Sequence, residues 1–492
     1  MADILTEIVN KRIEDIQKHG ITFGFDIPEK RLRPVHSFLP EKGVILEVKR
    51  ASPSKGDIAP DLDSAATARS YEKAGASAIS CLTETNYFKG SLGDLMSVCD
   101  AVDIAVLRKD FLISADEVDV SYRAGADAVL LIARILESKT MNEMAETASG
   151  YGMTSLVEVR SDEDISKLDF LVKAFASKGF DKKLIVCGVN SRDLSNFKID
   201  LLKPCALLEK IRGILGDDAR VIFESGIRTP QAASFAGSLG FTGMLLGEAA
   251  AKAPELREEL VNAFVKALPG KNAEFWKTVV ECPRSGGFDR LNHRRHRLLI
   301  KLCGLTRAED VIYADSLGAD FVGFIFADGF ARNVCGEKFE KIIPALKDVK
   351  AKKVAVITDP KSREAEAAAE FVEKGILDCL QLHGIKYSEV PEKFFSLPHY
   401  FAVTDKSEDL TKETEELFLM GEPRFLQDSK KRDYDLNKKL WLAGGVTPEN
   451  VRELVEKYQP ELIDVSSGVE DEGMPGIKNH DKIRRIINDT FR

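Results

Sequence analysis

Short β-branched runs alternate with helical stretches along the whole chain, and they fall into two sets of eight. The first set occupies 44–48, 78–82, 104–107, 128–132, 155–159, 184–189, 221–223 and 243–246. These runs are nearly continuous in apolar residues, as expected of parallel strands covered on both faces. Stretches between them, such as 63–74 (DSAATARSYEKA), have the alanine and charge content of amphipathic helix. Eight strand–helix units in about 250 residues have the size and rhythm of a (β/α)8 barrel. An open doubly wound sheet rarely needs eight units so evenly spaced. The second set occupies 299–302, 321–325, 353–357, 379–382, 400–403, 424–426, 440–442 and 462–465. It is more compact, which predicts a second barrel with short helices and loops. The expected fold class is α/β: two consecutive (β/α)8 TIM barrels, the first preceded by a helical extension.

Helix ends are marked by Gly75, Gly125 and Gly318, each suited to the left-handed C-cap conformation before a strand. Ile4, Leu5, Ile8, Ile13 and Ile16 lie near helical spacing, so an extra helix precedes the first barrel, plugging or flanking its bottom. The domains expected are 1–270 and 298–492. The segment 271–297, with Pro283, Ser285-Gly286-Gly287 and His293-Arg294-Arg295-His296-Arg297, reads as a linker with some helix around 275–280. His293 and His296 suggest a metal pair, but no carboxylate or cysteine clusters nearby, so a solvated linker face is the better reading.

Composition narrows the function classes. Acidic residues number 79 against 70 basic, a formal charge of -9, which argues against a nucleic-acid-coating surface. The eight cysteines form no Cys-x-x-Cys pair, so neither a disulfide scaffold nor a zinc ribbon is expected, and a reducing, cytoplasmic setting suits them. Charges from Asp3 onward leave no signal-peptide core. The most apolar stretch, 126–136, is short and holds Asp127 and Arg134, so no membrane span is expected.

In such barrels chemistry sits where strands end. The first strand ends Glu47-Val48-Lys49, and alternation turns Glu47 and Lys49 to the same, inward face. Lys109 ends the third strand, Glu158 lies on the fifth, Asn190 ends the sixth and Glu224-Ser225-Gly226 the seventh. Charged groups at one mouth are costly unless paired or used, so they form either a salt-bridge layer or an acid–base site. Ser225-Gly226 followed by Arg228-Thr229-Pro230, and Gly247-Glu248 after strand eight, suit a phosphate cradle on adjacent loops.

Four motifs converge: Glu47-Val48-Lys49-Arg50-Ala51-Ser52-Pro53-Ser54-Lys55-Gly56, Leu107-Arg108-Lys109-Asp110-Phe111, Gly188-Val189-Asn190-Ser191-Arg192-Asp193-Leu194 and Glu224-Ser225-Gly226-Ile227. Over roughly 4–267 the chain resembles indole-3-glycerol-phosphate synthase. The resemblance implies decarboxylation and dehydration of 1-(2-carboxyphenylamino)-1-deoxyribulose 5-phosphate as an indole ring closes. By it Lys109 is the general acid of ring closure, Lys49 holds the anthranilate carboxylate, and the two divide the acid roles in a way the sequence leaves open. Glu158 is the partner in proton transfer during dehydration, and Glu47 and Asn190 orient hydroxyls and lysines. Glu224 binds ribulose hydroxyls, Arg192 belongs to the substrate site, and Ser52, Ser225, Gly226 and Gly247 take the phosphate. Phe88 and Phe111 either clamp the aromatic ring or are core packing.

In the second half, strand one ends Lys301-Leu302-Cys303-Gly304-Leu305-Thr306. Cys303 taken alone is a small buried hydrophobe. Asp428 at the sixth strand end, across the barrel, makes a base-and-acid pair conceivable, with a helix N-cap as its other reading. Gly444-Gly445-Val446-Thr447-Pro448 and Asp464-Val465-Ser466-Ser467-Gly468-Val469-Glu470 repeat the phosphate cradle. Arg332 has the fork to pair with a carboxylate. With Gln381-Leu382-His383-Gly384 and Pro475-Gly476-Ile477-Lys478, the region 299–487 resembles phosphoribosylanthranilate isomerase. That implies an Amadori rearrangement with Cys303 as general base and Asp428 as general acid. Arg332 would hold the anthranilate carboxylate, although 327–333 departs from the Ser-x-Arg pattern associated with the family. Gly444, Gly445, Ser467 and Gly468 would hold phosphate, and Gln381 and His383 either line the site or cap the barrel interior.

Together the resemblances imply a fused enzyme of tryptophan biosynthesis. It would need no cofactor or metal, act on phosphorylated small molecules, bind neither nucleic acid nor membrane, and be a monomer. Two rivals are a Schiff-base aldolase or lyase using Lys49 or Lys109, and a noncatalytic pair of phosphate-binding barrels. The second is disfavoured because a binder does not need the acid–base groups.

Overall fold

The structure, a computed structural model, describes residues 4–53, 55–192, 198–281, 298–407 and 409–491. The junction run His293–Arg297, with its histidine pair, lies outside the described residues. The chain divides into two compact units, Met1–Pro269 and Gly270–Arg492.

The first unit is a closed, all-parallel barrel of eight strands in sequence order. They are β1 (Gly43–Val48), β2 (Ala78–Leu82), β3 (Ala105–Lys109), β4 (Ala128–Ile132), β5 (Thr154–Val159), β6 (Ile185–Asn190), β7 (Val221–Glu224) and β8 (Gly243–Leu246). β8 pairs back onto β1 through Gly43 opposite Gly243. Alternate residues face inward, and Ile45, Leu107, Leu130, Leu156, Val186, Ile222 and Leu245 fill the centre. The outward set, including Val44, Leu46 and Val129, is equally buried beneath the helices. This is why the runs are continuously apolar. The turns also follow from chemistry: Gly75 and Gly125 adopt φ of 89° and 99° where a helix ends. Ser161 and Asp164 form a reciprocal capping box on the helix Asp162–Lys178.

The N-terminal helix, Ile4–His19, exists as expected, but not at the barrel bottom. That end is stoppered by Phe38 and Leu39, both fully buried; a Cβ on Gly243 would lie 2.6 Å from Leu39. The helix instead lies at the mouth. Its Arg12 donates to Asp110 at 2.6 Å and to Glu117 at 2.9 Å, just beyond β3. Ile4, Leu5 and Ile8 then face the same cavity as Lys49 and Lys109.

The second unit is another closed parallel barrel. Its strands are β9 (Leu299–Leu302), β10 (Phe321–Ile325), β11 (Lys352–Ile357), β12 (Cys379–His383), β13 (His399–Thr404), β14 (Phe425–Asp428), β15 (Trp441–Ala443) and β16 (Leu462–Val465). Connections are short, as expected: Glu392–Phe395 is a single helical turn. Between β14 and β15 no helix forms. That stretch is pinned by side chains, with Gln427 accepting from the Asp435 amide at 2.7 Å and donating to its carbonyl at 3.2 Å.

One boundary differs from expectation. The helix expected around 275–280 is present and runs Lys271–Glu281, but it belongs to the second unit rather than to a linker. Trp276 is fully buried, its ring 5.7 Å from that of Trp441. A buried indole of this size anchors its helix by several kcal/mol, on the order of 3–5.

Candidate active sites

At the mouth of the first barrel, four strand ends converge on two lysines and three glutamates. β1 contributes Glu47, and the residue following it in register is Lys49; their side chains pair at 2.6 Å. Lys109, the last residue of β3, reaches the other Glu47 oxygen at 2.9 Å and Glu224 of β7 at 3.6 Å. Glu158 of β5 is held by Arg160, whose Nε lies 2.7 Å away. Glu47, Glu158 and Glu224 are all buried.

Burial alone would drive these carboxyls neutral. At Glu47 burial is the largest influence, but Lys109 and Lys49 together outweigh it and hold the group at about 2. Lys109 is likewise pushed down by burial and, against that, up by Glu47, Glu224 and Glu158, so it ends above the ordinary lysine value. Glu224 differs. Burial raises it, Lys109 offsets only part of that, and Glu158 and Glu47 add repulsion, leaving it at about 7. The mouth thus holds a firmly charged lysine between a firmly ionised carboxylate and one that exchanges its proton near neutrality.

The other expected residues of this barrel line the same cavity: Ser52, Phe88, Phe111, Asn190, Arg192, Ser225, Gly226 and Gly247. Phe88 and Phe111 lie 6.0 Å apart and form an apolar wall with Ile4, Leu5 and Ile8, so they are both cavity lining and edge of the core. Asn190 accepts the Arg192 amide at 2.9 Å, which shapes the turn bearing Arg192. Ser225 and Gly226 both adopt left-handed backbone, φ 71° and 84°; for the serine this is a strained conformation costing about 1 kcal/mol or more. Gly247 has a steric reason to be glycine, since a Cβ there would lie 2.5 Å from Glu47 and 2.7 Å from Lys49.

In the second barrel Cys303 follows β9 directly and is buried, its amide bonded to the Val465 carbonyl at 2.9 Å. Two residues earlier on the same inward face, Lys301 is fully buried between Asp464 at 2.6 Å and Gln381 at 2.9 Å. Burial pushes the Cys303 thiol up, and Lys301 pulls it down. Asp428 ends β14, three strands from β9 by the shorter way round. Its carboxylate lies 3.8 Å from Nε2 of His383. Burial raises Asp428 and lowers His383, so the pair favours its neutral forms. Gln381, deeper in the barrel, accepts from Tyr400 at 2.8 Å and contacts His383 at 3.1 Å. It is therefore an interior strut, and His383 reaches the mouth. Arg332 is already paired: Glu470 accepts both Nε and Nη2, at 2.8 Å and 2.5 Å. Gly444 and Gly445 have φ of 96° and 59°, and a Cβ on Gly468 would lie 1.8 Å from the Val446 carbonyl oxygen, with Ser467 opening that turn.

The family model of indole-3-glycerol phosphate synthase matches residues 29–263, and that of N-(5'-phosphoribosyl)anthranilate isomerase matches residues 300–489. A multifunctional tryptophan biosynthesis protein of Phycomyces blakesleeanus is 28% identical over 98% of this chain and 69% of its own length. The indole-3-glycerol phosphate synthase of Bacteroides thetaiotaomicron is 36% identical, over 54% of this chain and 100% of its own. The chain belongs to the indole-3-glycerol-phosphate synthase and phosphoribosylanthranilate isomerase families. It is a bifunctional enzyme of tryptophan biosynthesis, with the synthase barrel first. A solved phosphoribosylanthranilate isomerase of Thermotoga maritima is 30% identical over 39% of this chain and 97% of its own, at a TM-score of 0.34.

Several groups in the synthase and isomerase mouths escaped the sequence reading. In the synthase barrel Arg160 holds Glu158, and Glu84 accepts the amides of Asn86, Tyr87 and Phe88, fixing the turn that presents Phe88. In the isomerase barrel Lys301, Lys478 and Glu470, named above only as members of motifs, carry charge close to Cys303 and Arg332: both lysines act on the thiol, and Glu470 accepts from Arg332 and Lys478. Inward alternation was a usable signal for two of these, with Cys303 for Lys301 and with Glu158 for Arg160. No group of His, Cys, Asp or Glu suited to a metal ion occurs among the described residues, and no helix among them is long and apolar enough to cross a membrane.

Proposed function

We propose that the second barrel converts N-(5-phosphoribosyl)anthranilate to 1-(2-carboxyphenylamino)-1-deoxyribulose 5-phosphate, and that the first converts this product to indole-3-glycerol phosphate, CO2 and water. The observation that carries the reading is the Lys109 ammonium held between Glu47 and Glu224, in one cavity with Lys49 and an aromatic wall.

In the isomerase, Asp428 protonates the ribose ring oxygen as the ring opens to an imine, and the Cys303 thiolate removes the C2' proton. The resulting enolamine tautomerises to the ketone. Protonated Asp428 is what its raised position supplies; at Cys303 burial prevails and holds the thiol above its ordinary value, and Lys301 offsets part of that in favour of the thiolate. Arg332 receives the anthranilate carboxylate, and the loops of Gly444, Gly445, Ser467 and Gly468 receive the phosphate. His383 lines the site beside Asp428.

In the synthase, Lys109 protonates the C2' carbonyl oxygen as the carboxyl-bearing ring carbon attacks C2'. A C–C bond forms, CO2 departs, and loss of the C2' hydroxyl as water completes the indole. Lys49 holds the substrate carboxylate before it leaves, and Glu158 takes the proton released in dehydration. Glu47 and Asn190 orient the lysines and hydroxyls, and Glu224 binds the ribulose hydroxyls. Ser52, Ser225, Gly226 and Gly247 form the phosphate cradle, with Arg192 at its edge. Phe88 and Phe111 hold the aromatic ring. The enzyme works as a monomer in the cytoplasm, without cofactor.

The test is fluorescence-monitored turnover of phosphoribosylanthranilate made in situ. Wild type should form indoleglycerol phosphate, Lys109→Met should stop at the ribulose intermediate, and Cys303→Ala should leave the first substrate unconsumed. Consumption by Cys303→Ala at the wild-type rate would remove the base assignment.

A further inference from the structure

One carboxylate gathers three loops at the mouth of the isomerase barrel. Glu470, buried in the loop after β16, accepts Arg332 from the loop after β10 through both oxygens. It also accepts Lys478 at 2.8 Å and the Gly476 amide at 2.9 Å. The Gly476 carbonyl takes the Thr306 hydroxyl, from the loop after β9, at 2.6 Å. Burial opposes the charge on Glu470, but Arg332 and Lys478 prevail and hold it at about 2. Arg332 crosses the backbone next to Cys303: a Cβ on Gly304 would lie 2.7 Å from the Arg332 Cδ.

A guanidinium offers five N–H groups in one plane. Glu470 engages the Nε and Nη2 side, which leaves the Nη1–Nη2 edge to receive a second carboxylate in bidentate fashion. Lys478, bound to Glu470 and to the Ser466 carbonyl at 3.1 Å, prevents the carboxylate from swinging after the arginine. We infer that Glu470 is a positioning residue, which fixes the edge that Arg332 presents to the substrate carboxylate and thereby the tightness with which the anthranilate carboxylate is held. The inference rests on the proposed role of Arg332.

The test uses the full chain as wild type, Glu470→Gln, Glu470→Asp, Arg332→Met and the Arg332→Met/Glu470→Gln double variant. Isomerase kinetics are measured with phosphoribosylanthranilate and with the phosphoribosyl adduct of aniline, which lacks the carboxylate. Synthase turnover of the same preparations checks their integrity. Glu470→Gln should raise KM for the anthranilate adduct about tenfold with little change in kcat, leave KM for the aniline adduct unchanged, and add nothing in the Arg332→Met background. Glu470→Asp, one methylene shorter but still charged, should show the same selectivity and carries the comparison if the glutamine variant does not fold. Equal KM increases for both adducts, or an undiminished effect without Arg332, would overturn the inference and make Glu470 a loop scaffold only. If Arg332→Met alone leaves the anthranilate KM at the wild-type value, the receptor role itself falls, a result separable from the Glu470 data.

Discussion

Gly188 of β6 leaves empty the space that Glu224 of β7 fills, since a Cβ on residue 188 would lie 2.1 Å from Glu224 Oε1. The glycine thus makes room for Glu224 at the mouth of the first barrel. Gly188→Ala should displace Glu224 from Lys109 and lower synthase kcat/KM about 100-fold, with isomerase activity unchanged. Assaying the two reactions separately on one preparation decides it; a synthase rate near wild type would mean that the Glu224 position is dispensable.

Glu224 should make stability depend on pH. Its carboxyl titrates at about 7 in the folded chain against an ordinary 4.5, so the native state holds the extra proton between those values. Stability is then full below the unfolded value and falls as pH rises toward the folded one, by roughly 3 kcal/mol at most. Glu224→Gln never ionises. Its synthase unit should therefore be stabilised relative to wild type at pH 8 and much less so at pH 5, as read by thermal unfolding. A difference independent of pH would contradict the assignment.

Glu47→Gln removes the anion that Lys49 and Lys109 share. Glu47 is the strongest of the influences raising Lys109, so without it burial gains and the lysine titrates lower. The basic limb of the synthase pH–rate profile should shift toward neutrality, by about a unit or more. An unmoved limb would show that another group sets it.

Lys301→Met takes the cation away from Cys303 and leaves Asp464 buried without its partner. Thiolate formation becomes harder, so the acid limb of the isomerase profile should move to higher pH, and stability should fall by about 3–5 kcal/mol. A profile that stays in place in a folded variant would exclude Lys301 from tuning the thiol.

Trp276→Ala should open a cavity against Trp441 and lower the stability of the second unit by about 3–5 kcal/mol. Denaturation followed by isomerase loss is the measurement. Isomerase loss at the wild-type denaturant concentration would argue that the helix Lys271–Glu281 adds nothing to that unit.

The strand framework was legible because a parallel barrel writes its strands as unbroken apolar runs and ends its helices on left-handed glycines such as Gly125. The weakest patterns were those of β13 and β14, which still form where expected. Glu47, Lys49 and Lys109 were legible because alternation and strand ends dictate both their direction and their depth. Arg332 was a candidate from its chemistry, but its pairing with Glu470 was not legible, because 138 residues separate them and only barrel closure makes them neighbours. The N-terminal helix shows the limit of periodicity. Spacing of Leu5 and Ile8 reveals a buried face, but the end of the barrel it covers is set by Arg12 finding Asp110 and Glu117. The helix around 275–280 was expected, but it was assigned to the linker because the glycines and arginines that follow it dominate local composition, while Trp276 has its partner 165 positions away in Trp441.

The placement of Ile4, Leu5 and Ile8 on the cavity wall bears on how this enzyme is handled at the bench. An affinity tag or reporter fused to the N-terminus is joined to a helix whose first described residues line the synthase cavity, so it is expected to raise the synthase KM. Purification handles belong at the other terminus, and kinetic comparisons between preparations should specify the N-terminal scar that each carries.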